Sequence, residues 1–132
     1  MSVGSRRESR ERALSLLYEA EVKDLVPTAL LKELPVQPEP FVADLVEGVD
    51  AHQARIDGLI TRFAIDWTLD RMPAIDRNLL RLAVYELLER PDVPLGAVIS
   101  EAVELAKRYS TDDSGRFVNG VLSSVAAEVR PG

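Results

Sequence analysis

Apolar residues recur every three or four positions along most of the chain, the spacing of one buried helix face. Ala13, Leu16, Leu17 and Ala20 set that stripe in a first helix predicted over residues 6–23. Ser5 and Glu8 have the spacing of a capping box at its start. A short helix follows over 28–34, with Pro27 at its first position. Pro35, Pro38 and Pro40 make the next stretch a stiff, extended connector. Phe41, Leu45, Val49, His52, Ile56, Leu59 and Phe63 then continue the spacing, which predicts one long helix over 40–63. A short turn or helix is predicted over 67–71.

Pro73 opens a helix to about residue 90. Ile75, Leu79, Leu82, Ala83 and Leu87 face one way, with Leu80, Val84 and Leu88 beside them. So wide an apolar arc predicts a central helix packed on more than one side. Pro91 and Pro94 break it. The helix over 95–109 buries Ile99, Ala102, Val103 and Ala106 and leaves Glu101, Glu104, Lys107 and Arg108 outside. Residues 110–114 form a turn rich in N-cap types. A last helix over 115–128 carries Phe117, Val121, Leu122 and Val125 along one side. Gly120 in its middle costs ~1 kcal/mol against alanine, which suggests close approach of another helix. No stretch alternates with period two. The expected fold is all-α, six or seven helices in one domain over 1–132.

Composition narrows the chemistry. Among 132 residues there is no cysteine and one histidine. That excludes a disulfide scaffold, a cysteine-ligated metal and a thiol nucleophile. His52 lies on an apolar stripe, where a histidine is ordinarily a core or core-edge residue, and it has no nucleophile to serve. No apolar run approaches the ~20 residues of a membrane span, and the charged N-terminus does not read as a signal peptide. A reduced, cytoplasmic, non-catalytic protein without cofactor or metal is the expectation.

Net charge is −6, which argues against general nucleic-acid affinity. The sum hides an asymmetry. Arg6, Arg7, Arg10 and Arg12 stand against only Glu8 and Glu11 at the start. Arginine is the better fork for phosphate. Two readings of this end stand together: a solvated charged terminus, held by Glu8 and Arg12 at i,i+4, or a docking site for phosphates. Phe117 also has two readings. It heads the buried stripe of the last helix, or it stacks on an unpaired base beside Arg116. Tyr18 sits one residue off its stripe, where its hydroxyl can reach a partner.

The order of residues is more specific than their pattern. The chain opens with Arg6-Arg7-x-x-Arg10-Glu11-x-Ala13-Leu14-x-x-Leu17-Tyr18. It continues with Ile75-Asp76-Arg77-Asn78-Leu79-Leu80-Arg81 and Asp92-Val93-Pro94, then Glu101-Ala102-Val103-Glu104-Leu105-Ala106-Lys107. It closes with Phe117-Val118-Asn119-Gly120-Val121-Leu122. This resembles the NusB family of transcription antitermination factors over nearly the whole chain. The resemblance implies two small packed helical bundles. It implies a partner, the ribosomal protein NusE, and a joint ligand, the single-stranded boxA element of nascent ribosomal RNA. It implies work alongside other antitermination factors and RNA polymerase. Mapped residue by residue, it places RNA at Arg6, Arg7 and Arg10 and at Asp113, Arg116 and Phe117. It places NusE at Tyr18 and Asp76. A homodimer stays open as an alternative.

Glu8 interrupts an arginine cluster that is denser in the family, so the partner's own positive surface gains weight. Asp113 would repel phosphate and temper affinity. Two alternatives of other classes remain. The motif from Phe117 to Leu122 also occurs in the RNA-binding region of ribosomal RNA cytosine methyltransferases, of which this chain would be only the binding part. The other is a helical adaptor that never touches RNA.

Overall fold

The structure, a computed structural model, describes residues 3–131. Among the described residues there are seven α-helices, one 3-10 turn and no strand, so the all-α expectation holds. The helices are α1 (Val3–Val22), α2 (Pro27–Glu33), α3 (Pro40–Ala51), α4 (Gln53–Phe63), α5 (Ala74–Glu89), α6 (Leu95–Tyr109) and α7 (Asp112–Val129); the 3-10 turn is Leu69–Arg71. The first helix starts earlier than predicted, so Ser5 falls inside it; the side chain expected to cap it lies outside the described residues.

The predicted 40–63 helix is two helices. His52 takes φ −111° and ψ 17° between α3 and α4. Hydrogen bonding continues on both sides, from His52 N–H to the Gly48 carbonyl and from Ile56 N–H to the His52 carbonyl, each 3.0 Å. The bend has a packing reason. α3 lies on α1 and α2, while α4 lies on α7, and both touch α5. A single straight rod could not follow both surfaces.

Two small bundles result. α1, α2 and α3 pack together, α4 to α7 pack together, and α5 belongs to both. That position explains the wide apolar arc: Leu79, Leu80, Leu82, Ala83, Val84, Tyr85 and Leu87 are all buried. The buried apolar side chains of both bundles form one connected core.

Gly120 is not a point of close approach. It is exposed, and a Cβ there would meet nothing within 4 Å. The close approach occurs at Gly48 on α3 instead, where a Cβ would overlap the Tyr85 ring of α5. The Tyr85 hydroxyl donates to Asp44 at 2.9 Å. Burial and that carboxylate push the phenol up to about 12.

The C-terminal end of α5 is held by one side chain. The Arg130 guanidinium donates to the carbonyls of Glu86, Leu87, Arg90 and Val93 at 2.6–2.9 Å. Carbonyls that a helix end leaves without partners are satisfied by a cation placed at the negative end of the dipole. This fixes the 86–94 turn, which borders the arginine-bearing start of α1.

Candidate nucleic-acid interface

The first two turns of α1 carry Arg6, Arg7 and Arg10, and their guanidiniums meet around Phe41 and the acids of α5 and α6. Arg6 lies over the Phe41 ring at 4.1 Å, with Arg90 at 5.1 Å and Arg10 at 5.8 Å. Phe41 is the first apolar residue of α3, so an aromatic face buried on one side serves the cations on the other. Arg7 is half-buried and grips Glu101 through Nε at 3.1 Å and Nη2 at 2.5 Å. That guanidinium holds the Glu101 carboxyl below its ordinary range. Arg6, Arg10, Asp92, Pro94, Ala97 and Glu101 line an open cavity of about 270 Å³.

Arg10, expected at the RNA, is buried and paired. It is 6% exposed. Its Nε and Nη2 donate to both oxygens of Glu86, at 2.9 and 2.8 Å, and its Nη1 lies 3.8 Å from Glu101. A guanidinium so committed is a strut between the bundles. The reason is the partner: Glu86 lies inside the apolar arc of α5, where an unpaired charge would be costly.

Asp113, Arg116 and Phe117 form a second group at the start of α7. Thr111 caps this helix, its hydroxyl accepting from Ser114 N–H at 2.9 Å. Asp112 and Asp113 occupy the first turn, where a negative charge suits the dipole. This start lies one turn earlier than predicted. Asp113 and Arg116 pair with each other and are both largely exposed. Phe117 is half-buried and meets Trp67 edge-on, with ring centroids 4.7 Å apart and planes at 66°. The ring therefore packs partly into the core and keeps part of its surface open.

The two groups are not one cluster. Glu101, the partner of Arg7, lies near the start of α6, and Phe117 follows the end of α6. From Glu101 to Tyr109 the helix rises about 12 Å. Lys107 and Arg108 stand exposed along this stretch, and Arg108 lies 3.6 Å from Glu11.

Tyr18 is 44% exposed. It lines a mostly apolar cavity of about 320 Å³ with Leu14, Ser15, Ile75, Tyr109 and Glu11, the last accepting from the Tyr109 hydroxyl. Asp76, expected at the NusE surface, is buried. It is 0% exposed, and neither carboxylate oxygen has a hydrogen-bond partner. It sits in the first turn of α5, where the helix start favours an acidic side chain.

Glu86, Glu101 and Phe41 were missed as site residues, and Glu101 was expected outside. An acid inside an apolar stripe was the available signal, since such residues are seldom buried unpaired. Among the described residues no group of three or more His, Cys, Asp or Glu is placed to hold a metal ion, and no helix is long and apolar enough to cross a membrane.

Comparison with known proteins agrees with this architecture. The model of the NusB family matches residues 7–127. Transcription antitermination protein NusB of Thermobifida fusca is 51% identical over 124 residues, covering 91% of this chain and 87% of that protein. Its counterpart in Salinispora arenicola is 49% identical, covering 92% and 95%. Among solved structures, T. maritima NusB superimposes with a TM-score of 0.84 at 38% identity, covering 96% of this chain and 93% of that one. A structure of antitermination factors NusB and NusE in complex with dsRNA matches with a TM-score of 0.79 at 29% identity, covering 93% and 96%. The family model spans both arginine-bearing and aromatic ends of the molecule, and the chain belongs to the NusB family.

Proposed function

We propose that this chain is a non-catalytic, cytoplasmic RNA-binding subunit of transcription antitermination. With a NusE-type ribosomal protein it binds the boxA element of nascent RNA and keeps RNA polymerase processive. The observation that carries the reading is the arginine-bearing end of α1, with Arg6 over Phe41 and lining a 270 Å³ cavity with Glu101, and Arg7 half-open on that same Glu101. Arg6 and Arg7 contact phosphates, and Arg10 supports them from below. Arg116 adds a cation and Phe117 a partly open ring at the far end of α6. The Tyr18–Ile75–Tyr109 cavity receives the protein partner, and buried Asp76, next to Ile75 in the first turn of α5, supports that partner-binding face from within. The family relatives named as antitermination proteins, and the relative whose structure holds NusE and RNA, support this assignment.

The test is a titration of boxA RNA, single-stranded and duplex, with and without the protein partner at two salt concentrations. The chain alone binds weakly, with a salt slope of about −2 to −3, as few phosphate contacts dictate. The partner tightens it. No binding with the partner present overturns the proposal and favours a helical adaptor. Methyl transfer to RNA by the chain would favour the enzyme-fragment alternative.

A further inference from the structure

The arginine-bearing end of α1 is paired rather than bare. Arg7 and Arg10 face Glu101 and Glu86, and Arg6 and Arg90 stand near Asp92, which Arg90 holds at 3.0 Å. Within this cluster Glu101 is singular. It is 6% exposed, comes from α6, and takes contacts from two arginines of α1. Its pair with Arg7 uses Nε and Nη2, one edge of the guanidinium. Among the described residues Nη1 of Arg7 carries no partner, and 35% of the Arg7 side chain is exposed. The carboxylate thus grips one edge of a planar fork and leaves the other edge without a described protein partner, on a side chain that is partly open. A long side chain held this way loses less rotamer freedom when a second oxyanion arrives.

From this geometry we infer that Glu101 is a positioning residue for RNA: it locks the Arg7 guanidinium with its free edge outward, ready for a phosphate. The inference rests on the proposed function and names a residue of the same site. Simple electrostatics and positioning give opposite signs here. Removing a negative charge beside the ligand should tighten RNA binding if charge alone matters. If Glu101 aims Arg7, removing it loosens binding although the protein becomes more positive.

The experiment measures boxA RNA affinity of the full chain with its protein partner. The variants are Glu101→Gln, Arg7→Ala and the two combined, with partner affinity measured in parallel. Glu101→Gln is expected to weaken RNA binding at least threefold. Added to Arg7→Ala, it changes affinity less than twofold, because the group it aims is gone. Partner affinity stays within twofold throughout. Unchanged or tighter RNA binding by Glu101→Gln overturns the inference. So does an equal loss in the Arg7→Ala background, which would mark general loosening of the helix end. Should Glu101→Gln not fold, Glu101→Asp keeps the charge, shortens the reach and must show the same dependence on Arg7. Wild-type protein that fails to bind RNA overturns the functional reading, and this inference with it; normal wild-type binding with an insensitive Glu101 overturns this inference alone.

Discussion

Arg10 on α1 and Glu86 on α5 are joined by two parallel hydrogen bonds of 2.9 and 2.8 Å, with both side chains almost out of water. The pair ties the first bundle to the helix both bundles share. Removing one member leaves the other charged and buried, which costs about 3–5 kcal/mol. Arg10→Ala should therefore lower stability by that order in urea denaturation. Arg10→Met combined with Glu86→Leu should recover most of it, since apolar replacements of a buried pair are often neutral or better. An Arg10→Ala protein of full stability that has lost only RNA binding would return Arg10 to the phosphate-contacting role.

Phe117→Ala separates two contributions of one ring. Its edge contact with Trp67 is worth about 0.5–1.5 kcal/mol beyond area burial, and a stacked base adds about 1–3 kcal/mol to RNA affinity. The variant should stay folded, lose RNA affinity by the larger amount and keep partner affinity. The chain has one tryptophan, so its emission reports the altered contact directly. A protein that unfolds instead would show the ring to be mainly core.

Asp113→Asn should tighten RNA binding. Asp113 pairs with Arg116 one turn on, and both are largely exposed. Such a pair contributes little to stability, so folding should be unaffected apart from a small loss at the helix start. The gain is roughly two- to fivefold, the scale of one exposed charge contact. Unchanged or weaker affinity in the same titration would contradict this.

Acid should loosen the arginine-bearing end. Arg7 holds the Glu101 carboxyl below its ordinary value of 4.5, and Arg77 does the same for Glu21. A depressed folded-state pKa contributes stability that is fully present above the unfolded value and is lost as pH falls through the folded one. Both contributions are therefore intact above about pH 5 and fade below the ordinary glutamate range. Denaturation midpoints measured from pH 6 downward should fall more steeply in the wild-type protein than in Glu101→Gln.

Gly48→Ala tests the contact between α3 and α5. An added Cβ would overlap the Tyr85 ring, and overpacking of this kind costs about 1–3 kcal/mol. The same substitution at exposed Gly120, where space is open, should stabilise the helix by about 1 kcal/mol. Thermal unfolding of the two variants gives opposite shifts.

What could be read along the chain was what depends on neighbours. Apolar spacing and proline punctuation located every helical stretch, with α3 and α4 read as one, and the width of the arc on α5 foretold its central place. The bend at His52 was hidden because an unbroken stripe says nothing of which surfaces the two halves must follow. Glu101 looked like a solvated residue because its partners, Arg7 and Arg10, lie more than 90 positions away. Asp76 and Arg10 were carried over from motif positions, and a motif does not register depth below the surface. Tyr18 was legible by contrast, since one step off an apolar stripe already points a ring toward the rim.

The placement of α6 between the two groups makes that helix a ruler. A ligand touching both Arg7 and Phe117 must run along α6 from the Glu101 turn toward the Lys107 turn, against which Gly115 of α7 packs, a rise of up to about 9 Å or roughly two to three stacked nucleotides. Oligonucleotides below that length can occupy one end at a time, and affinity should climb in a step, not a slope, once the strand is long enough to bridge.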